Sequence, residues 1–212
     1  MKISCMKGKL MQGISNVSKA VSTKTTHPIL SCIFIEAENG NIKLTANDME
    51  IGIESYVEGT VIEEGKVAIE AKLLSDIVRK LPDSEIHMET NEDFKTTIKC
   101  EKSLFTIAGK SGEDFSSLPI VEKSKYITIS QFTLREIINQ TIFSISDSEY
   151  NNVMTGELFE VSNNRLRVVA IDGHRIAIRN VELKDESQDV KVIVPGKALS
   201  YISKIVIGGV DD

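Results

Sequence analysis

The stretch SNNRLRVVAIDGHRIAI, residues 162–178, has the clearest secondary-structure pattern in this chain. Its first half alternates, with Leu166, Val168 and Ala170 on one side and mostly arginines between them. A period of two residues is typical of a β-strand that is buried on one face and exposed on the other. The first half therefore predicts a half-buried strand.

The pair Asp172-Gly173 interrupts this alternation. An Asp-Gly pair between alternating apolar residues predicts a two-residue turn in which both residues adopt positive φ. A second strand follows, with Ile176 and Ile178 on one face. Taken alone, the stretch predicts a β-hairpin and no special site.

A faint copy of this hairpin lies 124 residues earlier. The segments EAENGNIKLTAND, residues 36–48, and EVSNNRLRVVAID, residues 160–172, share an acid at the start, an asparagine at the turn and an aspartate at the end. Further on the offset becomes 125, so that Lys72 matches Lys197. An offset held through helix, strand and turn predicts two copies of one structural unit.

Apolar spacing and turn residues predict the same order of elements in both copies. Helices are predicted at residues 7–22, 71–81, 131–144 and 195–206. Strands are predicted at residues 2–6, 29–36, 41–46, 50–58, 65–70, 84–90, 94–100, 103–109 and 125–130. Further strands are predicted between the helix at residues 131–144 and residue 194. The first copy thus contains two passes of strand, helix and three strands, which is an α+β fold. The second copy stops after its last helix, so Leu199, Ile202 and Ile205 are expected to lack part of their cover.

Length and composition fit a globular protein of two domains. The 212 residues are 41% hydrophobic and 26% charged, with a net charge of −6, which excludes a generally basic nucleic-acid binder. Cys5, Cys32 and Cys100 lie in strand-like runs and form no C-x-x-C pair, so they are expected to be reduced and buried. No stretch has the length of a signal peptide core or a membrane span, and the expected location is the cytoplasm.

The charge is segregated by element type. The helical stretches, with the first extended to residue 24, carry ten basic and two acidic residues, and the remainder of the chain is strongly acidic. This favours a basic surface made of helices, which would contact the phosphates of duplex DNA without reading bases. There is no Trp and only 5% aromatic residues, so base stacking with single strands is not expected.

Signals for catalysis or cofactors are weak. Gly109-Lys110-Ser111 resembles the end of a P-loop, but Leu104 stands where that motif needs glycine. His27, His87 and His174 have no metal-ligand spacing, and no metal site or cofactor is expected. Asp172 and His174 leave open an enzyme hypothesis that would need a third group within reach.

Several segments resemble one known family. AIDGHRIAI, residues 170–178, preceded by VMTGELFE, residues 153–160, is similar to the second domain of the bacterial sliding clamp, the beta subunit of the replicative DNA polymerase. The segments HPILSCIFIE, LTANDMEIGIE and KLPD in the first copy, and VIVPGKAL in the second, resemble the same family. The resemblance covers essentially the whole chain.

The resemblance implies a DNA clamp fold and a non-catalytic role. Family members have three like domains per chain, with helices on the inner face and antiparallel sheets outside, and two chains close head to tail around duplex DNA. Here residues 1–120 would be clamp domain 1 and residues 121–212 a truncated domain 2, with the third domain absent. The family tethers the polymerase for processive replication.

The resemblance also implies two sets of site residues. The positions that would present basic groups to DNA are Lys24, Lys72, Arg79 and Lys197. The positions that would bind short peptides of the polymerase catalytic subunit, the clamp loader and repair polymerases are Met154, Ile171, Gly173, His174, Arg175 and Ile176. Ile171 departs from the small hydroxyl residue expected there. Because the family pocket lies between the second and third domains, this polypeptide alone is expected to bind such peptides poorly.

One further alternative remains open. The same repeat could form a protein-interaction scaffold that does not bind DNA. In that case, reversal of the charges of Lys24, Lys72 and Lys197 would leave every activity unchanged.

Overall fold

The computed structural model describes residues 1–22, 26–113, 115, 118–121, 124, 126–147, 153–185, 187–206, 208 and 209. The chain divides into two compact units, Met1–Pro119 and Ile120–Asp212, called unit 1 and unit 2 below. No helix in the described part of the chain is long and apolar enough to cross a membrane.

Unit 1 contains two helices and two antiparallel sheets. The helices are α1 (Lys7–Val17) and α2 (Ala71–Lys80). The strands are β1 (Lys2–Met6), β2 (Cys32–Glu38), β3 (Asn41–Asn47), β4 (Gly52–Val57), β5 (Gly59–Glu63), β6 (Gly65–Glu70), β7 (Glu85–Thr90), β8 (Lys95–Cys100) and β9 (Ser103–Ala108). One sheet has the order β5-β1-β7-β8-β9 and the other the order β4-β3-β2-β6. Each sheet therefore takes strands from both passes of the chain, which ties the two passes together.

The core of unit 1 lies between its helices and both sheets. Leu10 and Ile14 of α1 and Leu74 of α2 are fully buried with Ile35 of β2 and Ile86 of β7 in one cluster. The three- and four-residue spacing of the apolar helix residues places them on one stripe, and strand residues alternate between the core and solvent. Burial of these side chains is the main force that holds unit 1 together.

Unit 2 contains two helices and one antiparallel sheet among its described residues. The helices are α3 (Gln131–Thr141) and α4 (Gly196–Ile205), and a 3-10 turn, Ile142–Ser144, follows α3. The strands are β10 (Gly156–Ser162), β11 (Arg165–Ile171), β12 (Ile176–Glu182) and β13 (Val190–Pro195), in the order β12-β11-β10-β13. The core cluster includes Ile138, Phe159, Leu166 and Val168.

The predicted internal repeat is confirmed. Helix α3 begins 124 residues after α1, β10 and β11 begin 124 residues after β2 and β3, and α4 begins 125 residues after α2. The pairing register is repeated too, because Phe34 faces Thr45 in unit 1 and Leu158 faces Val169 in unit 2. The α+β class predicted from periodicity is therefore correct, and the sheets are antiparallel, as the family resemblance implies.

The turn at Asp172-Gly173 differs from the prediction. Strands β11 and β12 do form a hairpin, but four residues, 172–175, connect them, and of these four only Gly173 has a positive φ, at 89°. The tight turn with two positive φ values lies instead at Asn163 and Asn164, with φ of 50° and 61°. Asparagine tolerates this conformation because its short polar side chain bonds locally.

Three element bounds also differ from the prediction. Helix α1 ends at Val17, where the Ser18 hydroxyl donates to the Ile14 carbonyl at 2.6 Å, and a 3-10 turn follows. Strand β2 begins at Cys32 because Pro28–Ser31 forms another 3-10 turn with Pro at its start. Residues 126–130 are not a strand. Their counterpart β1 is paired on both sides, by β5 and β7, and the described part of unit 2 offers no such partners.

Two expectations about burial have different outcomes. The three cysteines are buried and unbridged, as predicted. Leu199 was expected to lack cover but is only 2% exposed. It packs in the unit 2 core with α3 and the sheet, so Leu199 is covered, contrary to the prediction.

Candidate functional site

Helix α2 presents basic residues on the side opposite its buried stripe. Ala71, Leu74, Ile77 and Val78 are buried, whereas Lys72, Arg79 and Lys80 are exposed. Lys72 and Arg79 are seven residues apart, which is close to two helical turns, so they lie on the same side of the helix. Asp76 forms an ion pair with Arg79 and compensates part of its charge.

Helix α4 repeats this arrangement in unit 2. Lys197 and Lys204 are exposed and also seven residues apart, and Leu199 lies on the buried side. Lys197 is the counterpart of Lys72, and Lys204 is the counterpart of Arg79. The site residues predicted from the sequence did not include Lys204, although Lys204 lies 125 residues after Arg79, the same offset that relates Lys197 to Lys72.

Basic side chains on the other two helices, and on the 3-10 turn after α1, make contacts with nearby residues. Lys9 forms an ion pair with Glu58, with 2.8 Å between Nζ and Oε2, and Lys19 donates to the Ser15 carbonyl at 3.1 Å. The Arg135 guanidinium stacks over the Phe132 ring at 5.8 Å. Lys24 lies outside the described residues. Helices α2 and α4 are the two helices that present basic pairs at matching positions of the repeat, each within its own unit.

The loop at residues 172–175 forms a second site. The Asp172 Oδ1 atom accepts hydrogen bonds from the backbone N–H groups of His174 and Arg175, both at 3.0 Å. Its Oδ2 atom accepts from Arg175 Nε at 2.7 Å. These bonds, first that from the His174 N–H, lower the pKa of Asp172. The carboxylate therefore stays ionised at neutral pH and holds Arg175 in place.

This geometry argues against the enzyme hypothesis for Asp172 and His174. A general base needs a pKa near the working pH and a free acceptor oxygen. Asp172 has a lowered pKa, and both of its oxygens accept hydrogen bonds from the loop itself. Within the part of the chain that the structure describes, no three His, Cys, Asp or Glu side chains are grouped so as to hold a metal ion.

Apolar side chains surround the loop. Ile171 and Ile176 face each other across β11 and β12 and are 39% and 57% exposed. Gly173 and His174 are exposed between them. Met154 lies two residues before β10, and β10 begins at the end of the sheet where β11 finishes. The structure thus brings the predicted peptide-binding residues to one end of one sheet.

Two residues of this site were missed by the sequence-based set. Asp172 positions Arg175. An aspartate at the start of a turn often accepts hydrogen bonds from the backbone N–H groups that follow it, so the Asp-Gly pair in the sequence could have indicated this role. Phe143 lies under Arg175, with 5.9 Å between the guanidinium carbon and the ring centre. Phe143 is 32 residues away in the chain, and only the fold could bring it here.

Comparison with known proteins assigns the chain to a family. Residues 1–119 match the family model of the N-terminal domain of the DNA polymerase III beta subunit, and residues 128–211 match that of its central domain. The chain belongs to the DNA polymerase III beta subunit family. The resemblance inferred from the sequence is therefore confirmed, and so is the expected clamp fold.

Curated relatives and solved structures agree with this assignment to the beta subunit family. The chain is 38% identical over 207 residues to the beta sliding clamp of Halalkalibacterium halodurans, covering 92% of this chain and 54% of that protein. It is 34% identical over 215 residues to the beta sliding clamp of Bacillus subtilis, covering 97% and 57%. The chain thus spans little more than half the length of these beta subunit relatives.

The similarity to solved beta subunit structures is close. A crystal structure of a DNA polymerase III beta subunit from Eubacterium rectale matches with a TM-score of 0.96 and 55% identity, covering 100% of this chain and 57% of that one. The sliding clamp of Bacillus subtilis matches with a TM-score of 0.93 and 32% identity, covering 98% and 57%.

Proposed function

We propose that this chain forms part of a sliding clamp, a ring that encircles duplex DNA and tethers the replicative polymerase for processive synthesis. One observation carries the proposal. In a member of the beta subunit family, two repeated helices, α2 and α4, each present a pair of basic residues two turns apart. The proposed role is non-catalytic.

The DNA contacts in this proposal are electrostatic. Lys72, Arg79, Lys197 and Lys204 would approach the phosphates of a duplex that passes through the ring, with the helices of each unit lining the hole. Lysine ammonium groups act as point charges toward phosphate and read no bases. Contacts of this kind are weak and independent of sequence, so the ring could slide.

The loop site would bind partner proteins in this proposal. Ile171 and Ile176 offer apolar walls, and Arg175, fixed by Asp172 and Phe143, offers hydrogen-bond donors. Such a surface suits a short extended peptide with apolar side chains. The proposed partners are the polymerase catalytic subunit, the clamp loader and repair polymerases.

Ring closure would use self-association. Strand β9 is at the end of its sheet, and Leu104 and Phe105 on it are 65% and 40% exposed. An edge strand with free backbone groups and exposed apolar side chains can pair with a strand of another chain.

We assign residues 1–120 to clamp domain 1 and residues 121–212 to clamp domain 2, and we place the protein in the cytoplasm.

The test of this function is the salt dependence of DNA binding. Lys72→Glu combined with Lys197→Glu should weaken binding of a short duplex at every sequence tested. In a plot of log affinity against log salt concentration, each lost phosphate contact should reduce the slope by about 0.9. Binding can be measured by fluorescence anisotropy between 25 and 200 mM salt.

A matched control uses two lysines on a sheet. Lys95 and Lys99 are both exposed on β8, so Lys95→Glu combined with Lys99→Glu makes the same change in net charge away from the helices. The control should keep the slope of the unmodified protein. If the control and the double variant of Lys72 and Lys197 lose affinity equally, the effect is due to net charge alone and the proposed interface is wrong.

A further inference from the structure

The carboxyl group of Glu157 is buried in the core of unit 2. Glu157 lies on β10 and has no solvent exposure. Its counterpart in unit 1, 124 residues earlier, is Ile33, which is also fully buried. The fold therefore accepts an apolar side chain at this position, and the acid in unit 2 is not needed for packing.

The contacts of Thr141 indicate the protonation state of Glu157. The Thr141 hydroxyl oxygen lies 2.8 Å from the Ile137 carbonyl oxygen and 2.9 Å from Glu157 Oε2. A hydroxyl carries one hydrogen, and a carbonyl oxygen can only accept. If Thr141 donates to Ile137, the second contact is a hydrogen bond only when Glu157 donates its own proton. Both bonds are made when Glu157 is a neutral acid.

The second oxygen of Glu157 supports the neutral form. Oε1 is buried and has no hydrogen-bond partner among the described residues, and the same is true of the Ser144 hydroxyl at the end of the 3-10 turn. An ionised carboxylate would leave a charged oxygen without a partner in the core, which is far more costly than a neutral one.

Charged groups on the surrounding elements do not compensate for this burial. No charged side chain among the described residues is hydrogen bonded to the Glu157 carboxyl, and its hydrogen-bond contact there is with Thr141. Glu160 and Lys191 pair with each other at 3.0 Å, and Arg135 stacks on Phe132. The remaining charged groups on the neighbouring elements are Glu136 on α3, Asp147 after the turn, Arg165 and Arg167 on β11, Arg179 and Glu182 on β12, and Lys197 and Lys204 on α4.

Thr141 connects Glu157 to the loop site. Thr141 is the last residue of α3, and the 3-10 turn Ile142–Ser144 follows it directly. Phe143 in that turn lies under the Arg175 guanidinium. A change in the bond between Glu157 and Thr141 therefore acts on the segment that supports Arg175.

We propose that Glu157 is a built-in proton switch: as a neutral acid it holds the end of α3 through Thr141, and its ionisation loosens α3 and the turn that carries Phe143. This inference concerns unit 2 itself and does not depend on whether the chain binds DNA or peptides.

The direction of the pH effect follows from the pKa. Burial raises the pKa of Glu157 from 4.5 to about 7, and donation of the Thr141 hydroxyl to the ionised carboxylate, in place of its bond to Ile137, offsets only part of this rise. An acid with a raised pKa in the folded state contributes stability that is fully present below its unfolded pKa. That stability is lost as the pH rises from about 4.5 through about 7.

The test follows one carboxyl group and the amides beside it. In the full chain labelled with 13C at glutamate, the Glu157 carboxyl signal should titrate with a midpoint above pH 6. The exchange protection of the Ile138 and Thr141 amides, corrected for intrinsic rates, should fall about tenfold or more between pH 5 and pH 8. The amide of Leu74 in unit 1 serves as an internal reference.

Three variants sharpen this test. Glu157→Gln keeps a donor for Thr141, and Glu157→Ile copies unit 1, so both should abolish the pH-dependent loss of protection. Glu160→Gln removes an acid from the same strand and should keep that loss. A carboxyl midpoint below pH 5, or the same loss of protection in the Gln and Ile variants as in the unmodified chain, would overturn the proposal. If neither Glu157 variant folds, the carboxyl midpoint of the unmodified chain decides alone.

Discussion

Asp172 fixes the shape of the loop that follows it. One carboxylate accepts two backbone N–H groups and the Arg175 Nε atom, and Gly173 supplies the positive φ that the chain needs there. Ile171 and Ile176 are on the strands at either side of the loop. The shape of the loop therefore sets the position of the Arg175 side chain relative to these two isoleucines. A single side chain thus organises the proposed peptide site.

Two substitutions of Asp172 should separate its roles. Asp172→Asn keeps an oxygen for the two N–H groups but loses the bond from Arg175 Nε, whereas Asp172→Ala loses all three bonds. Amide exchange at His174 and Arg175 should be about tenfold faster in the Ala variant and little changed in the Asn variant, since one hydrogen bond contributes about 1 kcal/mol. Equal exchange in both variants would contradict this assignment.

The pH behaviour of the Asp172 loop is a separate prediction. The hydrogen bonds from His174 and Arg175 lower the pKa of Asp172 below its ordinary value of 3.8. A lowered pKa means that the stabilising bonds are present above the unfolded value and are lost as the pH falls through the folded value. The 13C signal of the Asp172 carboxyl group should therefore stay constant from pH 8 to pH 5 and move only below about pH 4. A titration of that carboxyl signal near pH 6 would contradict this expectation.

At the scale of elements, each helix has one side that builds the core and one that meets solvent. On α2 the adjacent residues Leu73 and Leu74 illustrate the difference, because Leu73 is 40% exposed and Leu74 is fully buried. The same division places Lys72 and Arg79 on the exposed side. The apolar pattern that folds the helix therefore also positions its charges.

These two leucines provide a matched test of the core. Leu74→Ala should reduce the free energy of unfolding of unit 1 by about 2–5 kcal/mol, because it removes buried methyl groups and leaves a cavity. Leu73→Ala, at an exposed position on the same helix, should cost less than about 1 kcal/mol. Urea unfolding monitored by circular dichroism measures both. Similar costs would mean that α2 does not pack as described.

At the scale of the whole molecule, the two units share a plan but differ in their cores. The main cluster of unit 1 contains 26 buried apolar side chains, and that of unit 2 contains eight, counted over the residues that the structure describes. Unit 1 has two sheets around its helices, and the described part of unit 2 has one. Less apolar surface is therefore removed from water in unit 2.

Native-state hydrogen exchange should reveal this difference. Peptides covering β10 to β13 should exchange faster than peptides covering the matching strands β2, β3, β4 and β6, because stability follows the size of the local core. Mass spectrometry of the intact chain at pH 7 is a suitable measurement. Equal protection in the two sets would show that the smaller cluster does not limit the stability of unit 2.

The amino-acid sequence was enough to predict the repeated unit, the order of its helices and strands, the family and the segregation of charge onto helices. These features depend on local periodicity and on an offset between two copies, both of which can be seen in the chain as written. The folded chain was needed to show that Phe143 supports Arg175, that Lys9 pairs with Glu58, that residues 126–130 do not form a strand and that Glu157 is buried beside Thr141. Each of these depends on contacts between residues far apart in the sequence or on missing strand partners, and neither is encoded in local spacing.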